Sequence, residues 1–178
     1  MRYNKRDYDN NVRNSDGVRA LGGVEFDLTH LLRGEVGLGY NYIDYDDPAF
    51  GKDTGPTYTV ALVWNPTPLM TFRLDGRQEF VDSTIPGIAG SDQSSILLAL
   101  DYEVTRRLVV SPLLGFIYND YDKSSLEDRD FEAGLRIDYE VNRYVDLGLN
   151  YLYTDRNFTG AFFDYDRHRV GVFAKARF

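Results

Sequence analysis

Apolar residues recur at every second position along most of the chain. Between 18 and 28 one row reads Val18, Ala20, Gly22, Val24, Phe26, Leu28, and the other Arg19, Leu21, Gly23, Glu25, Asp27. At 70–80, Met70, Phe72, Leu74 and Phe80 alternate with Thr71, Arg73, Asp75, Arg77 and Glu79. At 131–141, Phe131, Ala133, Leu135, Ile137, Tyr139 and Val141 alternate with Glu132, Gly134, Arg136, Asp138 and Glu140. A period of two is that of a β-strand with one face in an apolar medium and the other face wet. The stretches run about 10–13 residues. At ~3.3 Å per residue and a tilt of ~45°, ten residues cover the ~25 Å apolar band of a bacterial outer membrane. Soluble strands are shorter, typically ~5–6 residues.

Short breakers punctuate the pattern at Thr29-His30-Leu31, Asn65-Pro66-Thr67-Pro68, Thr105-Arg106-Arg107 and Asn142-Arg143, about 37–38 residues apart. Their flanks repeat, since Asp101-Tyr102-Glu103-Val104-Thr105-Arg106-Arg107 returns as Asp138-Tyr139-Glu140-Val141-Asn142-Arg143-Tyr144. Longer polar stretches lie between them at 10–16, 46–54, 83–92, 121–129 and 156–164. Tight turns alternating with long loops are the rhythm of an outer-membrane barrel. The chain is therefore expected to be all-β: one antiparallel up-and-down transmembrane β-barrel domain over 1–178. Ten strands are expected, at 1–9, 17–28, 32–45, 56–65, 69–82, 92–104, 107–120, 129–141, 144–155 and 166–178. Turns would face the periplasm and loops the outside. Closure would remove the edges, which lipid cannot hydrogen-bond. The first stretch is the weakest, because neither of its rows is apolar.

Composition changes this picture little. Mean hydropathy is −0.41, and no run approaches the ~18 apolar residues of a membrane helix; a barrel strand needs only half its positions apolar. A net charge of −8 argues against a nucleic-acid partner. There is no cysteine, which excludes disulfide and thiol chemistry. Residues Met1 to Asp7 contain no apolar leader segment, so an exported protein is expected to be read here without its leader.

The polar row carries Arg19, Glu25, Glu35, Arg73, Asp75, Arg77, Glu79, Asp101, Glu132, Arg136, Asp138, Arg167 and Arg169. These are the candidate lumen-facing charges, either cross-paired in a filled interior or lining a selective pore. On the apolar row, Trp64, Tyr102 and Tyr139 fall near the short turns, and Tyr42, Phe80, Tyr118 and Tyr153 near the long loops. Two aromatic girdles are expected from this, with ordinary β-propensity as the plain alternative. The end of the chain alternates Val170, Val172, Ala174, Ala176 and Phe178. A terminal Phe after such a row resembles the signal read by the outer-membrane assembly machinery. The loops are acidic, with Asp46, Asp47, Asp53, Asp122, Glu127, Asp128 and Asp164. No calcium-loop spacing occurs among them, so solvated loops without metal are expected. Of the two histidines, His30 falls in a turn. His168 falls on the apolar row near the rim, where with Asp164 or Asp166 it could imitate a rim hydrolase. No Ser sits at a telling spacing. Neither catalysis nor a cofactor is expected.

Pro56 to Phe178 resembles a family of outer-membrane β-barrel porins found near exopolysaccharide gene clusters. The carriers are Trp64-Asn65-Pro66-Thr67-Pro68-Leu69, Thr84-Ile85-Pro86-Gly87, Asp101 to Leu108, and Asn142-Arg143. A looser match extends back to about Gly17. The resemblance implies architecture and location, namely the outer membrane of a Gram-negative bacterium, and no active-site residues. It also implies longer relatives with further strands upstream, of which this chain would be the C-terminal part or a shortened form. The expected partners are the lipid bilayer, lipopolysaccharide and the assembly machinery. The leading expectation is a porin-like passive conduit for small polar solutes, or one linked to exopolysaccharide export. A plugged barrel without conductance is the alternative, since ~8 strands leave an interior just filled by side chains. A rim enzyme is the third.

Overall fold

The computed structural model describes residues 2–6, 14–83, 85, 87–159 and 164–177. They form ten strands: β1 Arg2–Arg6, β2 Ser15–Thr29, β3 Leu32–Tyr45, β4 Lys52–Thr67, β5 Met70–Asp82, β6 Gly90–Thr105, β7 Leu108–Tyr121, β8 Glu127–Asn142, β9 Val145–Phe158 and β10 Tyr165–Ala176. The strands make a single antiparallel sheet in chain order, β1 to β10. The expected strand at 1–9 is described as a strand only over Arg2–Arg6, paired with Ser15 to Arg19. Among the described residues β1 and β10 are not paired, so the closed ring expected from the sequence is an open ten-strand sheet here.

The short turns are set by their own side chains. Thr29 Oγ1 accepts from the backbone N–H of Leu31 and Leu32, each at 3.2 Å. Thr105 Oγ1 accepts from Arg107 N–H at 3.2 Å. Asn142 Oδ1 accepts from Tyr144 and Val145 N–H at 2.8 and 3.1 Å. The repeated breakers are thus turn residues whose oxygens satisfy backbone donors that the ladder leaves free.

Two prolines lie within strands. β4 begins at Lys52, four residues before the expected start at 56, and Pro56 sits opposite Tyr40 of β3. The ladder of β4 to β5 starts only at Tyr58, so Pro56 needs no N–H on that side. In β7, Pro112 is paired with Leu135 of β8, and the β6–β7 ladder skips it. There Ser111 Oγ donates instead to Asp101 at 2.7 Å.

The register keeps each row on one face across all the ladders. Exposed large hydrophobics gather on the apolar row, as at Val24, Leu38, Ile96, Leu114, Phe131 and Val172. Leu98, Leu135 and Leu149 are 44%, 38% and 41% exposed. They do not meet across a dry middle, as a soluble sandwich would require. The buried hydrophobics Ile43, Tyr45, Ile88, Ala89 and Phe158 all lie at the loop end. A sheet that leaves its apolar face open and has no dry core between its rows is built for a lipid surround.

Candidate functional site: the polar wall and the loop end

The opposite face is a wall of charge. The ladders place all of Arg19, Glu25, Glu35, Arg73, Asp75, Arg77, Glu79, Asp101, Glu132, Arg136, Asp138, Arg167 and Arg169 on it. Toward the turn end Glu25, Asp27, Arg33, Glu35, Arg73 and Asp75 line a cavity of about 670 Å³. Arg73 pairs with Asp101 of the next strand. Arg136 Nε and Nη2 donate to Asp138 at 2.7 and 2.9 Å, and Arg77 meets Glu79 at 3.3 Å. Most of these groups are well exposed, so the wall is hydrated and its pairs are individually weak.

Nearer the loops the polar network is drier. Arg19 Nη2 donates to Thr57 Oγ1 at 2.7 Å, and Thr57 in turn donates to the Gln78 carbonyl at 2.5 Å. Asp128, read as a solvated loop acid, is instead fully buried. Its carboxylate is held by Arg156, whose Nε donates at 3.1 Å and also lies 3.5 Å from Asp130. Asn119 links this group to Gln93, accepting from it at 2.9 Å. A buried carboxylate persists because a guanidinium and an amide replace its water.

The loops lean over this wall. Ile43, Tyr45 and Ala89 form a buried cluster, with Phe50 and Phe80 packed against it and the Tyr45 and Phe50 rings 5.8 Å apart. Lys123, a non-glycine residue at φ 52°, sends its ammonium to the Phe50 carbonyl, tying the 122–126 loop to the 46–51 loop. The tie spans from the β3–β4 hairpin to the β7–β8 hairpin, so the loop end bends inward. Asp53 stands opposite Ile43, one residue to the loop side of Tyr42, and Asp92 stands opposite Phe80, so both lie at the loop-side aromatic level or beyond it. Burial, with Asp92 and Asp122 nearby, pushes the Asp53 carboxyl up to about 6. Burial and the neighbouring Asp120 and Asp122 push Asp92 up as well.

On the outer face the loop-side aromatics each carry a polar partner. Lys52 sits over the Tyr42 ring at 5.5 Å and Arg129 over Tyr118 at 5.6 Å. His168 lies 5.0 Å from the Tyr153 ring and its Nδ1 is 2.8 Å from the Tyr151 hydroxyl. At the turn end Trp64 packs on Phe72 at 5.2 Å, Tyr139 is exposed on the same face, and Tyr102, half-buried, lies on that face by register. Phe80 differs, since it turns to the loop cluster and to Gly90. Of the terminal row, Val170 and Val172 are exposed and Ala174 and Ala176 follow on the same face. Phe178, Thr84 and Pro86 lie outside the described residues. Periodicity missed the inward Phe173, which lies over Gly148 with the Arg136 guanidinium 4.9 Å above its ring.

A β-sheet wet and charged on one face and apolar on the other matches one family throughout. The model of the family "Putative beta-barrel porin 2" matches residues 1–178. The chain belongs to this family. It is an outer-membrane β-barrel, and its location is the outer membrane of a Gram-negative bacterium. No curated protein sequence matches significantly. Among solved structures it is similar to a loop-deletion mutant of OmpT, an outer membrane protein of Vibrio cholerae. That match has 12% identity and a TM-score of 0.59, covering 98% of this chain and 57% of that one. Outer-membrane expressed OmpT matches at 12% and 0.58, over 95% and 58% of the two chains. The outer membrane channel DcaP of Acinetobacter baumannii matches at 15% and 0.55, over 93% and 63%. The likeness is one of fold. This porin-family chain spans less than two thirds of each of those barrels.

Proposed function

We propose that the charged face lines a water-filled, non-catalytic conduit for small polar solutes. The observation that supports it is the hydrated wall itself: Glu25, Asp27, Arg33 and Glu35 are exposed on the face opposite the lipid side and border open space. Side chains that filled a plugged lumen would be dry and mutually paired. Barrel likeness at 57–63% of the neighbours' length agrees with a wall that belongs to a wider ring. The bilayer and lipopolysaccharide would contact the apolar face, and the Val170 to Ala176 row would be read by the assembly machinery. Export of exopolysaccharide is the narrower form of this reading and rests on the family resemblance.

Refolded protein in a planar bilayer tests it. Stable, voltage-independent openings are expected. A silent bilayer with demonstrably inserted protein would favour the second reading, a plugged surface barrel. That reading is supported by the loop cluster around Tyr45 and the tie from Lys123 to Phe50. For the exopolysaccharide role, deletion of the gene should lower the polymer released to the medium.

A further inference from the structure

Charge on the wall is segregated by strand. The inward row of β8 carries Asp128, Asp130, Glu132, Asp138 and Glu140, with Arg136 the one cation on it. The inward row of β10 carries Arg167, Arg169 and Lys175, followed by Arg177, and has no carboxylate. The acids that could neutralise β10 are mostly engaged elsewhere. Asp128 and Asp130 hold Arg156, Asp138 holds Arg136, and Asp146, which faces Lys175, holds Arg177. Opposite Arg167 and Arg169 stand Thr154 and Leu152, which are uncharged. Among the described residues Arg167, Arg169 and Lys175 form no ion pair, and all three are exposed on β10, an edge strand with β9 as its one described neighbour.

Alternate residues on a strand are ~6.6 Å apart, so Arg167 and Arg169 are neighbours on one row, with the Arg167 guanidinium 5.4 Å from the Tyr165 ring. Like charges at that distance repel unless a counter-ion sits between them. Guanidinium forks match the two oxygens of a carboxylate or phosphate. From Arg167 to Arg177 the row climbs ~33 Å at the strand rise, which is the thickness of the apolar band crossed at a tilt.

We infer that β10 is an anion strip, which takes solutes bearing a carboxylate or phosphate group and passes them along the wall from Arg167 and Arg169 toward Lys175. It deepens the conduit reading and depends on it for passage, though not for binding.

Two measurements separate them. The first is calorimetric titration of the refolded chain in detergent with succinate, with inorganic phosphate and with a short uronate oligomer. Saturable binding that weakens with salt is expected for at least one probe, at least tenfold weaker in R167Q/R169Q. Preference among the probes tells small carboxylates, phosphate and acidic glycans apart. No binding by any of the three, or equal binding by the variant, overturns the strip whether or not the protein conducts. The second is the reversal potential across a bilayer in a KCl gradient. Anion preference is expected in the wild type, kept in R167K/R169K and lost in R167Q/R169Q. Conductance with the same selectivity in all three overturns the strip and leaves the conduit standing. Silent membranes together with tenfold-weakened binding in R167Q/R169Q overturn the conduit and support the strip.

Discussion

The ring of Phe173 lies against the backbone of Gly148, its partner across the β9–β10 ladder, so closely that a Cβ on Gly148 would come 2.0 Å from the ring's Cζ. The Arg136 guanidinium covers the ring from β8, 4.9 Å from its centroid. Gly148→Ala forces the ring off its seat and should cost about 1–3 kcal/mol, as overpacking does. Adding Phe173→Ala removes the clash, so the double variant should recover part of the loss. Urea titration in lipid vesicles reads both; equal stability of wild type and Gly148→Ala would refute the contact.

Leu97 and Leu98 are neighbours on opposite faces of β6. Leu98→Arg puts a cation in hydrocarbon and should cost about 2–4 kcal/mol near the midplane. Leu97→Arg points into the wet side beside Gly115 and should cost much less. If the two variants were equally stable in vesicles, the assignment of faces would be inverted or void.

Arg156 is the guanidinium that keeps Asp128 buried. Removing one partner of a buried pair strands the other charge, so Arg156→Gln should lose about 3–5 kcal/mol. Asp128→Asn in the same chain should restore much of that, because no charge is then left dry. Equal loss in single and double variants, by urea midpoint, would show that Arg156 acts through packing alone.

The faces of Leu97 and Leu98 were readable in the sequence, whereas the Arg156–Asp128 pair was not. Strands with a sustained period of two, such as β5 and β8, declared both their faces, because lipid and water sort alternate side chains without regard to distant residues. Four things were not legible. The four strand residues of β4 before Pro56 hide behind a residue that normally breaks strands. Asp128 looks like any loop acid until β9 brings Arg156 to it. The Tyr45–Phe50–Ala89 cluster joins two loops, and loops carry no period from which to read it. Phe173 was overlooked for a related reason, since an aromatic on the polar row finds its place only through the glycine opposite.

Asp53 sets a pH dependence. Its folded-state carboxyl titrates at about 6, against ~3.9 for a free aspartate. The folded chain therefore takes up the proton first, and stability should fall as pH rises from ~4 to ~6 and then level off. Asp53→Asn removes this contribution and should flatten the slope. Urea midpoints at pH 4.5, 5.5 and 7 measure it; an unchanged slope in the variant would mean that Asp92 or another group carries the effect.

Every ladder joins strands that follow one another in the chain, with β2 meeting β3, β3 meeting β4, and so on to β10. Contact order is accordingly low, and assembly can proceed hairpin by hairpin like a zipper. Cutting the backbone in the 122–126 segment interrupts no ladder; it leaves β1 to β7 and β8 to β10 as two fragments joined by the β7–β8 seam and the packing of Tyr121 on Phe158. Expressed separately, those fragments should re-associate along that seam, which makes the molecule a natural split protein.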